Sequence, residues 1–109
     1  MSVGKTVISG ERAKLNFTTS LNPDCTATGR IAARVIATPA HGSITIQNTT
    51  DYTNYLPSSQ LYACNGKQSP GTVAFYLPDD SFVGTDRASI DYRFPNGVAQ
   101  TVTFNIVVK

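Results

Sequence analysis

Few residues in this chain carry chemistry by type and spacing. His41 is the only histidine and stands in a Pro39-Ala40-His41-Gly42 turn. An imidazole there has the chemistry of a base or a metal ligand, but nucleophilic catalysis also needs a nucleophile placed beside it. The serines that follow, Ser43, Ser58, Ser59, Ser69, Ser81 and Ser89, stand in turn or strand contexts, none in a nucleophile elbow. Asp79, Asp80 and Asp86 lie close in sequence and offer oxygens to a calcium ion, which takes six or more. No Asp-x-Asp-x-Asp-Gly loop accompanies them, and aspartates beside Ser81 and Gly84-Thr85 are suited to capping turns. Carboxylate pairs such as Asp24 with Asp51, or Asp91 with Glu11, would suit glycoside hydrolysis, yet nothing in the sequence brings them together. The chain is read as a non-enzyme, with no catalytic residue, metal site or cofactor assigned.

Cys25 and Cys64 are the only cysteines, set in the polar runs Asn22-Pro23-Asp24-Cys25 and Cys64-Asn65-Gly66-Lys67. Buried free cysteines favour apolar runs, so two loop cysteines point to a disulfide. Closing a loop of about forty residues stabilises a fold by about 4 kcal/mol in the chain-entropy model. The competing readings are two unrelated thiols or half a metal site; for the latter only His41 is present as a third soft ligand and no Cys-x-x-Cys occurs.

The best candidate for function is the stretch from Asn48 to Gly71, which holds Tyr52, Tyr55 and Tyr62 and shows no sustained alternation. A connection this long in a compact domain is often functional or hides structure, here a short edge strand near Gln60–Ala63. Tyrosine presents a rigid apolar face and a hydroxyl at low entropic cost. Tyr52, Tyr55 and Tyr62, with Asn54 and Gln60, are therefore expected to form a contact patch for a protein or glycan partner. The alternative is that the tyrosines fold back to cover the core.

Such a patch needs a scaffold, and the rest of the chain supplies strands. Ala88, Ile90, Tyr92 and Phe94 alternate with polar residues; after Pro95-Asn96-Gly97 the pattern resumes with Val98, Val102, Phe104, Ile106 and Val108. A period of two sends one set inward. A two-residue Asn-Gly turn would set the two apolar faces on opposite sides of the sheet. A three-residue loop pairs Phe94 with Val98, Ile90 with Val102 and Ala88 with Phe104, and suits Pro95 and a left-handed Gly97. Further strands are expected at Lys5–Ser9, at Ala13–Thr19 with Leu15 and Phe17 inward, and at Gly29–Thr38 with Ile31, Ala33 and Val35 on one face. Two more fall at Ser43–Gln47 with Ile44 and Ile46 inward, and at Thr72–Leu77 with Val73, Phe75 and Leu77 on one face. About seven short strands punctuated by Gly, Pro, Asn and Asp predict an all-β antiparallel sandwich.

Length and composition agree. The 109 residues fit one domain spanning 1–109, and 40% hydrophobic residues without a long apolar run argue against membrane insertion. Nine basic residues against seven acidic give a net charge of +2. The densest basic stretch, Lys5, Arg12 and Lys14, lacks the clustered stripe and stacking aromatics of a nucleic-acid site.

Several short motifs resemble the bacterial immunoglobulin-like and cadherin-like repeat domains of exported proteins. They are Pro39-Ala40-His41-Gly42-Ser43-Ile44, Tyr76-Leu77-Pro78, Phe82-Val83-Gly84-Thr85-Asp86, Asp91-Tyr92 and the closing Thr101–Val108 run. The resemblance covers about Arg30–Lys109 and implies an Ig-like sandwich in an extracytoplasmic setting, without implying a reaction. A single unit, and the Cys-bearing stretch from Asn48 to Gly71, depart from the family's common repeat. With the disulfide, this leads to an expected periplasmic or secreted location, the initiator Met1 standing where an apolar signal would be. The function expected is a non-catalytic exported interaction module. A purely structural envelope domain, or a small periplasmic protein binding calcium or a metal through His41, are the alternatives.

Overall fold

A computed structural model describes residues 1–109. Its strands are β1 (Ser2–Val7), β2 (Ala13–Thr18), β3 (Ala32–Ala37), β4 (Gly42–Tyr52), β5 (Gln68–Pro78), β6 (Gly84–Arg93) and β7 (Ala99–Val108). One sheet has the order β1-β7-β6-β3 and the other β2-β5-β4. The chain is thus an all-β sandwich of seven strands. One pair departs from the antiparallel expectation, since β1 runs parallel to β7.

The β6–β7 hairpin shows why alternation works. Ile90 pairs with Val102 and Ala88 with Phe104, the register of a three-residue loop. The Gly97 N–H donates to the Phe94 carbonyl at 3.0 Å and the Phe94 N–H to the Val98 carbonyl at 2.9 Å. Gly97 has φ 87°, where a side chain would be strained. Ala88, Ile90, Tyr92, Val102, Phe104, Ile106 and Val108 are buried, and meet Val7, Leu15, Ile31, Ala74 and Tyr76 in one core. Each large side chain so buried contributes about 2 kcal/mol. Val98, expected inward, is 53% exposed and outside the core cluster, in the loop just before β7, although Phe94 across the turn packs against the core.

Two other expectations, in β2 and at the ends of the first and third strands, need correction. In β5, Val73, Phe75 and Leu77 do share one face; it lies opposite the Ala74 and Tyr76 face that joins the core cluster, although Val73 itself is only 2% exposed. Both faces of β5 are apolar, so alternation there carries no contrast. The outer one is covered in part by Arg12, whose guanidinium lies 4.1 Å from the Phe75 ring centre. In β2 the register shifts between Lys14 and Asn16. This bulge leaves Leu15 and Asn16 toward the core and turns Phe17 outward, paired with Val73. The first strand begins at Ser2 rather than Lys5, and Ala32–Ala37 is the paired part of the third.

The largest correction concerns Asn48–Gly71. β4 continues to Tyr52 and β5 begins at Gln68, in unbroken register from Gly42 with Pro78 to Tyr52 with Gln68. Residues 48–52 carry polar side chains on both faces, which hides a strand from a search for alternation. The real connection is 53–67. No strand forms near Gln60–Ala63; a 3-10 helix spans Tyr62–Gly66 instead.

Two devices fix the turns. Cys25 and Cys64 form the disulfide, with Cα atoms 5.5 Å apart, tying the 53–67 connection to the Ser20–Thr28 loop. At the other end of the sandwich, the Asp86 carboxylate accepts four hydrogen bonds. They come from the Ala40 N–H at 2.9 Å, the His41 N–H at 3.1 Å, the Arg87 N–H at 2.9 Å and the Tyr76 hydroxyl at 2.7 Å. Burial pushes this carboxyl's pKa up, but the Tyr76 hydroxyl and the three N–H donors outweigh it and hold it below the ordinary value. The tyrosine hydroxyl is pushed up, by burial first and then by Asp86. Gly42 completes the corner: an added Cβ would lie 2.6 Å from the Tyr76 ring and from the Leu77 carbonyl. The Pro-x-x-Gly motif is thus explained by crowding against Tyr76.

Candidate functional site

The distal end of the β4–β5 ribbon does not run straight. Register sets Lys14 opposite Phe75 and Asp51 opposite Ser69, six positions further along β5. On a flat sheet those positions are about 20 Å apart. Lys14 Nζ nevertheless donates to Asp51 Oδ2 at 2.6 Å. The ribbon must therefore curl over the outer side of β2. Gly71 sits at the inner surface of this curl, where a Cβ would strike the Thr18 carbonyl at 2.5 Å and the Phe17 ring at 2.7 Å. The outward Phe17 thus packs on a bare backbone position.

Between β2 and the curled ribbon runs a groove of about 460 Å³. Lys14, Phe17, Thr18 and Thr19 form one wall, Tyr52, Thr53, Asn54 and Tyr55 the other, and Phe94 closes one end. Four aromatic rings share it with hydroxyls, one amide and a single charge, and that charge is paired. The Lys14 ammonium, and next the Tyr52 N–H, hold the Asp51 carboxyl below its ordinary pKa. Tyr55 is half-buried, and burial raises the pKa of its hydroxyl. Tyr52 is 58% exposed.

The wall that bears Tyr52–Tyr55 is held from behind by Asn65. Its Oδ1 accepts from the Thr53 hydroxyl at 2.7 Å and the Tyr55 N–H at 2.9 Å, while its Nδ2 donates to the Tyr55 carbonyl at 2.9 Å. One side-chain amide thus satisfies both backbone groups of Tyr55, as a neighbouring strand would. Asn65 itself is placed by the 3-10 helix and by Cys64, which is 1% exposed. The Leu61 N–H donates to Ser59 Oγ at 3.1 Å and steadies the entry to that helix.

Of the five residues the sequence singled out, Tyr52, Asn54 and Tyr55 line the groove. Tyr62 and Gln60 do not; both are exposed, Tyr62 opening the 3-10 helix and Gln60 two residues before it. Lys14, Phe17, Thr18, Thr19, Thr53 and Phe94 are the groove residues that sequence reasoning missed. Phe17 looks like a core residue by alternation, and the bulge after Lys14 turns it here; Phe94 packs against the core as alternation expects and also reaches the end of the groove.

The other chemically able residues lie elsewhere. The His41 ring stacks on Phe82 with centroids 4.2 Å apart and planes 9° from parallel. The cleft that His41 lines holds no serine or cysteine. Asp86 turns inward to its four donors, and no group of three or more His, Cys, Asp or Glu side chains converges anywhere in the chain. Asp24 is engaged with its own turn, accepting from the hydroxyl and the N–H of Thr26. No helix is long and apolar enough to cross a membrane. Compared with known protein families and with curated proteins, the chain matches none.

Proposed function

We propose that this protein is a non-catalytic, exported interaction module that binds a protein or glycan partner in the groove between β2 and the β4–β5 ribbon. The observation that carries this reading is the wall Tyr52–Tyr55: aromatic rings and an amide face outward, while Asn65 and the disulfide fix the backbone behind them. A wall whose order is independent of its exposed side chains is preorganised, and preorganisation lowers the cost of binding. Aromatic faces bordered by hydroxyls and a neutralised ion pair suit an amphipathic, uncharged surface, such as the face of a sugar ring or an extended peptide. The disulfide and the lack of a membrane-crossing helix are compatible with a periplasmic or secreted setting. The strand order and the crowded Gly42 corner support kinship with the immunoglobulin-like and cadherin-like repeat domains.

The test compares the wild type with Tyr52→Ala and Asn54→Ala, both exposed, on a glycan array and in capture from envelope extract. A partner retained by the wild type and weakened tenfold or more by either substitution, at unchanged melting temperature, supports the groove. Binding that survives both substitutions overturns it and leaves the purely structural envelope domain as the better account.

A further inference from the structure

The sandwich has four edge strands, and they are not alike. β1 is six residues long and carries Lys5 on its core-facing side, opposite Ile106. β2 is six residues long and is interrupted by its bulge after Lys14. β3 is six residues long, carries Arg34, and is interrupted between Val35 and Ala37. Short length, basic side chains, inward charges and bulges are the devices by which proteins prevent sheet edges from pairing. β4 has none of them. It is eleven residues long, in unbroken register with β5, without Pro, Lys or Arg. Its one charge, Asp51, lies beyond the straight part and is held by Lys14.

The free edge is also suited to pairing. Ile44, Thr45, Ile46 and Thr49 are β-branched, the residue class that favours strands. From Ser43 to Thr49 no backbone group bonds outside the ladder with β5, so the outward N–H and C=O groups of this segment have no protein partner; at the far end of the strand the Tyr52 N–H donates to Asp51. Ile44 and Ile46 reach the core only in part, leaving apolar surface along this rim.

We infer that the segment Ser43–Thr49 of β4 pairs antiparallel with the same segment of a second copy, joining two three-stranded sheets into one of six. A second copy fits for a physical reason. Around a twofold axis the strand meets itself, so the pairing survives only if it sets no like charges opposite each other. From Gly42 to Thr50 β4 carries no charge at all. Pairing centred on Ile46 sets Ile46 against Ile46 of the second copy, Thr45 against Gln47 and Ser43 against Thr49. This register keeps side chains of like parity opposite one another, and so leaves both cores on the same side of the joined sheet. The curl reaches this segment only at its last residue, Thr49, which pairs with Gly71, and the ribbon residues that line the groove, 52–55, lie past it, so the groove stays open in the pair.

Sedimentation equilibrium across micromolar to millimolar concentration tests the inference, together with hydrogen exchange of the β4 amides. Mass is expected to rise from 11.7 kDa toward twice that value, with protection growing in β4 and not in β1, β2 or β3. The variant Thr45→Lys/Gln47→Lys, both positions exposed, sets lysines opposite each other in the pair and is expected to stay at one-chain mass with an unchanged melting temperature at low concentration. A wild type that keeps one-chain mass throughout overturns the inference. So does a two-chain mass that the lysine variant retains, because it places the contact on another surface. Loss of partner binding in Tyr52→Ala leaves this result untouched, so the groove and the edge stand or fall separately.

Discussion

The β6–β7 hairpin and the Thr53–Lys67 connection are both well-ordered parts of this molecule, held by opposite means. In the hairpin each side chain has one environment: Ile90, Val102 and Phe104 are in the core and their neighbours are in water. Order comes from apolar burial and a ladder of backbone bonds. In the connection only Cys64 is buried, while Leu56 and Tyr62 are well exposed. Order there comes from one asparagine amide, a 3-10 helix and a covalent bond. The first arrangement uses up its side chains to make structure. The second leaves them free, which is why the groove proposed as a binding surface takes one wall from the start of the connection and only Phe94 from the hairpin.

The sharpest way to break this contrast is to empty the hairpin's core. Phe104 is fully buried, and Phe104→Ala removes its ring with little room for collapse around it, at a cost of about 4 kcal/mol. Urea unfolding should show the free energy of unfolding fall by that amount, through a lower midpoint at an unchanged slope. A loss below about 1 kcal/mol would mean that the core at this end is loose and that the hairpin is not the scaffold.

This contrast also divides what was legible in the sequence. The hairpin register followed from counting residues around Pro95-Asn96-Gly97, because only one loop length puts both apolar sets on one face. The disulfide followed from two cysteines in polar turns. Alternation in β5 does not say which face turns inward, because Val73, Phe75 and Leu77 are as apolar as Ala74 and Tyr76; once inside, the Tyr76 hydroxyl finds a buried partner in Asp86 ten residues away. The groove was half legible: Tyr52, Asn54 and Tyr55 stood out by type. Phe17 reaches it only through a bulge, and bulges leave no mark in a pattern of alternation. Asn65 was invisible because its work, pairing with the backbone of Tyr55, depends on a fold-back that the disulfide helps impose.

A smaller effect tests the corner where the scaffold is held by polar bonds. Asp86→Asn keeps the shape but presents an N–H₂ group to a set of donors. It should cost about 3 kcal/mol at neutral pH, since at least two buried or half-buried donors lose their acceptor. The Asp86 pKa is lowered in the folded state, so its contribution is present above the ordinary carboxylate pKa of about 3.9 and is lost as pH falls through the folded value. The difference in melting temperature between wild type and Asp86→Asn should therefore be constant above about pH 5 and shrink below pH 4. A difference that persists undiminished to pH 2 would show that shape, and not the charged acceptor, holds the corner.

The smallest effect falls on the connection and bears most directly on function. Asn65→Ala removes three hydrogen bonds, yet water has access to this half-buried site and replaces part of them, so the global cost should be about 1.5 kcal/mol. The local consequence is larger: the Tyr55 amide should lose its exchange protection while the amides of β6 and β7 keep theirs, since the core is untouched. Asn65→Asp retains an acceptor for Thr53 and Tyr55 but loses the donor to the Tyr55 carbonyl, and should fall between the two. If Asn65→Ala also strips protection from the hairpin, the two regions unfold as one unit and the wall is part of the scaffold. If protection is lost at Tyr55 alone and partner binding weakens with Tyr52 and Asn54 intact, the backbone order that Asn65 supplies is what the groove requires. The exposed side chains would then make the contact, and the buried amide behind them would set its geometry.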